Sequence, residues 1–249
     1  MYRALQFSPV GDQALVAEFS DKVEKSANQW IRQVIVYMEK NKEKGIIELV
    51  PTYSSLLVLY DPMVLSYYEC CQLVEVASHT GVGSAGSGAV RIIEIPTVYG
   101  GAFGPDMQTV MAHTGLSEQD VIKIHSKTDY LVYMLGFIPG FTYLGGMDER
   151  LNTPRLTSPR TTIPAGSVGI AGSQTGMYPS DSPGGWQLIG RTPLKLYNDK
   201  KEPPTIINAG DYVRYVSIDE QQYKQISAAV ADNTYVVRVI EGTEVDLRE

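Results

Sequence analysis

Ile163-Pro-Ala-Gly-Ser-Val-Gly-Ile-Ala-Gly172, then Gln174-Thr-Gly-Met-Tyr-Pro179 and Ser182-Pro-Gly-Gly-Trp-Gln-Leu-Ile-Gly-Arg-Thr-Pro193, is the stretch that decides the fold of this chain. Its apolar runs, Ser167–Ala171 and Trp186–Gly190, are short and stop at glycine or proline, which is how strands joined by tight turns read. Residues 136–186 hold 10 glycines and 6 prolines, a density that marks irregular loops with unusual backbone angles. Outward from there the same rhythm continues. Towards the N-terminus lie a strand at Val90–Thr97, helices at Pro105–His113 and Glu118–His125, and a strand at Tyr130–Leu135. Ser117 followed by Asp120 has the spacing of a capping box and fixes the second helix start. Towards the C-terminus come strands at Leu194–Tyr197, Ile206–Asn208 and Tyr212–Val216, a helix at Asp219–Ala231 and a strand at Thr234–Ile240. Many short strands with Gly/Pro turns predict a mainly β, closed barrel over residues 90–249.

The first 80 residues follow another pattern. Tyr2–Phe7 and Ala14–Phe19 alternate as strands, with Pro9-Val-Gly-Asp12 as turn chemistry between them. Val23, Ala27, Trp30, Ile31, Val34, Ile35 and Met38 fall at helical spacing, and Gly45 ends that helix. Strands at Ile46–Val50 and Ser55–Tyr60 follow, then a helix opened by Asp61-Pro62 and running to about Ser78. The order ββαββα predicts an α+β sandwich over residues 1–80. Residues 81–89, Gly-Val-Gly-Ser-Ala-Gly-Ser-Gly-Ala, are too small and polar to pack and read as a linker between the two domains.

Composition narrows the function. Residues 1–88 carry 7 basic and 10 acidic side chains and residues 89–249 carry 14 and 18, so neither half has the basic surplus of a nucleic-acid binder. The N-terminal sequence lacks the apolar core of a signal peptide, and no apolar run is long enough for a bilayer. With Cys70 and Cys71 adjacent and no other cysteine, no zinc spacing exists and helix packing is the expected role. A reducing cytoplasm is the expected compartment.

The stretch quoted first, together with Leu135-Gly-Phe-Ile-Pro-Gly-Phe-Thr-Tyr-Leu-Gly-Gly146, Thr153-Pro-Arg155 and Ser158-Pro-Arg160, resembles the KipI/PxpB family, also called allophanate hydrolase subunit 1. The resemblance runs from the helix before His125 to about Tyr215. It implies a ferredoxin-like N-terminal domain and a cyclophilin-like C-terminal barrel. It also implies ATP-driven opening of 5-oxoproline to glutamate, with this chain as the PxpB-type component of a 5-oxoprolinase. The implied partners are one component of LamB/YcsF type and another of KipA/PxpC type. ATP, with Mg accompanying it, is the implied cofactor. Members can instead inhibit a sporulation histidine kinase, and a related module serves urea carboxylase and allophanate hydrolase systems. Prolyl isomerisation is suggested only by the barrel analogy, which does not fix function.

Opening a lactam with ATP puts charge on oxygen, so a site needs fixed donors and cations there. The turns Pro164–Gly169 and Gly172–Gly176 could offer backbone N–H groups. Neither is a Walker A loop, so a complete ATP site in this chain alone is not expected and a partner is expected to share it. Among side chains, His125 is a candidate general acid or base; the alternative is a helix-end histidine packed against the barrel. Arg160 is the second catalytic candidate, able to hold a carboxylate or phosphate with two hydrogen bonds, or else to pin its own loop. Arg155, Tyr143, Ser167, Gln174, Thr175 and Asp181 are candidate substrate contacts; relatives often carry Glu at the last position. Phe137 and Phe141 could form an apolar wall or a partner contact. Trp186 reads as a core residue, Arg191 as structural, His113 as a helix C-cap and His79 as surface. No metal ligand set is predicted: HExxH and paired-histidine spacings are missing, as is the GxSxG elbow.

Overall fold

Strict alternation builds the first sheet. In a computed structural model that describes residues 4–41, 43–80, 89–136 and 138–248, the chain divides into two compact units between residues 88 and 89. The first contains β1 (Gln6–Pro9), β2 (Ala14–Glu18), α1 (Lys25–Asn41), β3 (Ile46–Pro51), β4 (Ser55–Tyr60) and α2 (Tyr67–Thr80). The strands form an antiparallel sheet in the order β1-β2-β4-β3. Leu56, Val58 and Tyr60 alternate inward along β4 and bury against Trp30, Ile31 and Val34 of α1 and Cys70 and Val74 of α2. Each such fully buried aliphatic side chain contributes about 1.5–3 kcal/mol. The Trp30 indole N–H donates to the Ser78 carbonyl at 3.0 Å and ties the two helices together.

Two expectations shift here. The second helix starts at Tyr67, not at Asp61-Pro62, because the Asp61 side chain accepts the Met63 N–H in a turn and the cap falls to Ser66. Ser66 and Glu69 satisfy each other's backbone N–H groups as a capping box. The first strand lies at Gln6–Pro9, later than Tyr2–Phe7, and residues 2 and 3 are outside the described residues. The element order is ββαββα, whereas the ferredoxin-like arrangement is βαββαβ; an N-terminal strand holds the sheet edge next to β2. The expected linker lies outside the described residues except for Ala89, which begins the next strand.

The second unit contains β5 (Ala89–Tyr99), α3 (Met107–Thr114), α4 (Glu118–Lys127), β6 (Asp129–Leu135), β7 (Thr142–Gly145), β8 (Arg160–Ile163), β9 (Ser167–Ala171), β10 (Gln174–Met177), β11 (Ser182–Gly184), β12 (Gln187–Arg191), β13 (Tyr212–Ser217), α5 (Glu220–Ala231) and β14 (Val239–Thr243). Seven strands run in the order β10-β9-β12-β5-β13-β6-β7, with β14 added to β5, and the end strands β10 and β7 lie against each other. The result is a nearly closed, mostly β barrel; β8 and β11 form a separate two-stranded ribbon. Ile93, Ile95, Val132, Ile170, Ile189 and Val213 fill its interior. Ser117 caps α4 by accepting the Asp120 N–H, as its spacing predicts, and Asp219 with Gln222 closes a full capping box on α5.

Two expected strands are not formed. Leu194–Tyr197 contributes one isolated bridge, Tyr197 to Thr205, and Ile206–Asn208 contributes none, because Pro193, Pro203 and Pro204 remove ladder donors. Leu194, Leu196 and Ile207 are buried all the same. The last strand begins at Val239 and not at Thr234, since the N–H groups of Thr234 and Tyr235 both turn back to the Ala229 carbonyl at the end of α5. Near the C-terminus the Asp129 carboxylate, its side chain fully buried, takes two hydrogen bonds from Arg214 at 2.7 and 2.6 Å and one from the Arg248 N–H at 2.8 Å. Arg214 also donates to the Asp246 carbonyl, so each member of the buried pair has a backbone partner besides the other.

Candidate functional site

His125 sits in the last turn of α4, on the face that packs against β13, and is completely buried. Its Nδ1 is 2.8 Å from the Tyr99 hydroxyl and its Nε2 is 2.7 Å from the Thr175 hydroxyl. Thr175 donates its one proton to the Gly169 carbonyl, so it must accept from Nε2–H, and Nδ1 accepts from Tyr99. The ring is therefore neutral with the proton on Nε2. It packs at 4.4 Å from the Tyr215 ring and 5.5 Å from Tyr130. Burial drives its pKa down to about 3. A general acid or base needs a free nitrogen facing substrate. This ring has neither, so the geometry gives the interior packing alternative and not the expected catalytic role.

Arg160 opens β8 and reaches across to the residue before α3. Its Nη2 lies 2.7 Å from Oδ1 of Asp106, a carboxylate only 6% exposed. The other oxygen of Asp106 accepts the Leu188 N–H at 2.7 Å, and the Asp106 N–H donates to the Leu188 carbonyl. One aspartate thus clamps α3, β12 and the arginine. The neighbour of Leu188, Gln187, is buried and donates to the Pro154 carbonyl at 2.9 Å. Two atoms of this cluster are buried without a hydrogen-bond partner among the described residues: Nη1 of Arg160 and Oε1 of Gln187. An unmet buried donor and an unmet buried acceptor each cost about 1–3 kcal/mol, so these two are among the polar atoms of this unit most in need of a partner.

The glycine turns are already occupied. In the Pro164–Gly169 turn the N–H of Ala165 donates to the Asp181 carboxylate, that of Gly166 to the Tyr178 carbonyl and that of Ser167 to the Pro164 carbonyl. Gly166 is required there: its φ is +81°, and an added Cβ would lie 2.3 Å from the Thr192 carbonyl oxygen. Gly172 and Ser173 form the two-residue turn of the β9–β10 hairpin, and the Gly172 N–H goes to the Thr153 carbonyl. With its donors committed, the first turn does not fit a nucleotide phosphate. Among the described residues no group of three or more His, Cys, Asp or Glu could hold a metal ion.

The remaining predicted residues divide by neighbourhood. Ser167 is buried and bonds the Pro164 carbonyl through its hydroxyl, while exposed Asp181 holds the same turn closed. Arg191 donates to the Ala165 carbonyl, the structural role expected of it. Thr175 belongs with His125. Gln174 is half-buried at the start of β10, and half-buried Tyr143 stacks edge-on with Phe141 at 5.3 Å. Arg155 is exposed in the loop before β8 and, like Arg160, acts electrostatically on the Tyr178 hydroxyl, whose pKa burial nevertheless raises. Trp186 is a core residue as expected, in an aromatic cluster with Tyr178 and Phe141, and Phe137 lies outside the described residues. His113 is exposed, and the helix it ends is capped by Gly115 in the left-handed conformation, not by the histidine. The 136–186 segment thus packs an aromatic core of Phe141, Tyr178 and Trp186, and Arg160 within it pairs with Asp106. Asp106 and Gln187 escaped sequence reasoning. The signal for Asp106 was Gly104-Pro-Asp106, a charge held between a turn and a helix.

No helix among the described residues is long and apolar enough to cross a membrane. Residues 5–207 match the family described as carboxyltransferase domain, subdomain C and D. A protein of Bacillus subtilis named as the B subunit of 5-oxoprolinase is 43% identical over 233 residues, covering 88% of this chain and 95% of the relative. The crystal structure of PH0987 from Pyrococcus horikoshii is 50% identical, with a TM-score of 0.52 over 88% of this chain and 100% of that one. That of TTHA0988 is 32% identical with a TM-score of 0.74 over 83% of this chain, which spans 40% of the longer TTHA0988 chain. On the family match and the near full-length relative together, the chain belongs to the carboxyltransferase-domain family of subdomains C and D, alongside proteins named as 5-oxoprolinase B subunits.

Proposed function

We propose that this chain is the PxpB-type component of an ATP-dependent 5-oxoprolinase and opens 5-oxoproline to glutamate only together with partner subunits. The observation that carries the reading is the 43% identity over nearly the whole length of a 5-oxoprolinase component. The polar cluster supports it. A lactam offers one carbonyl acceptor and one N–H donor, and the buried atoms of this unit left without partners include a guanidinium donor, Arg160 Nη1, and an amide acceptor, Gln187 Oε1. Arg160 would steady the carbonyl oxygen as charge grows on it, held in place by Asp106. Both spare atoms are closed over in the chain alone, which fits a site that opens or completes on assembly. ATP supplies the leaving group for the carbonyl oxygen. Since the Pro164–Gly169 turn has no spare donors, its phosphates are held by a partner. On the same reading the first unit is a ferredoxin-like layout with one strand moved to the N-terminus, the barrel is cyclophilin-like, and the assembly works in the cytoplasm.

The test is reconstitution. The chain is purified with and without partners of LamB/YcsF and KipA/PxpC type, and ATP-dependent glutamate release from 5-oxoproline is followed. Release should require this chain and should fall at least about 100-fold in Arg160→Ala, the usual loss for one oxyanion donor. Full release by the partners alone would refute the reading. Inhibition of histidine-kinase autophosphorylation by the purified chain, without any effect on glutamate release, would replace it with the regulatory one.

A further inference from the structure

Gly184 has to be a glycine for a reason that bears on Arg160. A Cβ added there would collide with the Tyr178 hydroxyl, so the phenol occupies the space where a side chain of residue 184 would stand. In the β8–β11 ribbon Gly184 is the antiparallel partner of Arg160. Side chains of directly opposed antiparallel residues leave the same face of the ribbon, with Cβ atoms about 5 Å apart. The Tyr178 hydroxyl therefore stands on the face from which the Arg160 side chain sets out towards Asp106.

Tyr178 is held firmly in that place. It is only 4% exposed, and its ring stands edge-on to Phe141 and Trp186 at 5.9 and 6.1 Å. Burial holds the phenol's pKa above its usual value, against the pull of the Trp186 N–H and of the charges on Arg155 and Arg160. The oxygen thus accepts from Trp186 and keeps its own proton at neutral pH. Among the described residues that proton has no acceptor. Nη1 of Arg160 is likewise buried with no acceptor. Two unmet donors therefore belong to one face of one ribbon, and what both lack is an oxygen. A carbonyl oxygen has two lone pairs and can take both.

We infer that Tyr178 is the second donor to the lactam carbonyl oxygen, its O–H and Arg160 Nη1 taking the two lone pairs of that one atom. The inference rests on the 5-oxoprolinase reading and adds a catalytic residue to it, one in contact with the reacting oxygen. Donors fixed before charge develops need no reorganisation when it does, which is what such an oxygen requires. The aromatic cluster then has a second use: Phe141 and Trp186 aim the phenol, as Asp106 aims the arginine. Gly184 keeps the space open for the hydroxyl without touching substrate.

The test uses the enzyme reconstituted with its partners and the variant Tyr178→Phe, which keeps the ring and removes the donor. The kcat for glutamate release should fall at least about 100-fold, with KM for 5-oxoproline changed by less than about threefold. A second readout separates a donor from a prop: the infrared carbonyl stretch of 5-oxoproline, labelled with carbon-13 at the lactam carbonyl and bound to the assembled enzyme without ATP. The band should lie at higher frequency in Tyr178→Phe than in the parent, because losing a hydrogen bond stiffens the C=O bond. A kcat within about threefold of the parent's, or the same band in both, would overturn the inference and leave the 5-oxoprolinase reading in place. A parent assembly that releases no glutamate would overturn both.

Discussion

His125 and Arg160 looked alike in the sequence, two chemistry-bearing side chains, one before the glycine-rich segment and one inside it, yet they are set in opposite ways. Around His125 both ring nitrogens are bonded, the proton position is fixed by Thr175, and aromatic rings close the space. Around Arg160 one guanidinium nitrogen is clamped by Asp106 while another is buried without a partner among the described residues. The lesson is that satisfaction separates the two. A buried polar group with every bond made stabilises the fold and has nothing left for a ligand, whereas an arginine held on one side keeps a donor in reserve.

The sharpest attack on this contrast is Asp106→Ala. It strips Arg160 of its anion and the Leu188 N–H of its acceptor, and should destabilise the barrel by about 3–5 kcal/mol, read from its urea midpoint. A loss below about 1 kcal/mol would mean that the clamp is not what holds Arg160. Next, His125→Leu should cost about 2–4 kcal/mol at neutral pH, because the Tyr99 and Thr175 hydroxyls lose their partner.

The same variant carries a pH signature. With the folded pKa near 3 and an ordinary value of about 6.5 in the unfolded chain, the unfolded state binds the extra proton between those limits. Stability should therefore fall as pH drops below about 6.5, by up to about 1.4 kcal/mol per pH unit, and this contribution should be constant above it. His125→Leu should flatten that part of the profile; an equal slope in both proteins would place the titration elsewhere. Arg160→Lys should do the reverse of His125→Leu. A point charge can keep the Asp106 pair, so stability should drop by about 1 kcal/mol or less while glutamate release in the assembled enzyme falls at least about tenfold. Smallest of all, Asp181→Ala releases one exposed hydrogen bond and should cost under about 1 kcal/mol.

Much of the architecture was readable from local pattern. The stripe through Trp30, Ile31 and Val34 gave α1, and Ser117 with Asp120 gave the start of α4, because both signals are complete within a few residues. The strands β7, β8, β10 and β11 were not, since each is three or four residues long, too short to show alternation, and glycine or proline interrupts all but β8. What read as irregular loops over residues 136–186 is mostly short strand and turn. The site was harder still. His125 is defined by Tyr99 and Thr175, 26 and 50 residues away, and Asp106 by Arg160 and Leu188, 54 and 82 residues away. Residue type announces that a side chain can do chemistry, but only distant neighbours decide whether it is left free to.

The buried pairing of Asp129 with Arg214 and the Arg248 N–H has a practical side. Residues 246–248 work as a latch on the barrel, holding β6 and β13 through a backbone donor that no upstream residue replaces. Trimming residues 246–248 would leave the buried Asp129 carboxylate with Arg214 alone, one of its three hydrogen bonds lost. Versions of the chain shortened past residue 245 should therefore melt early for reasons unrelated to activity.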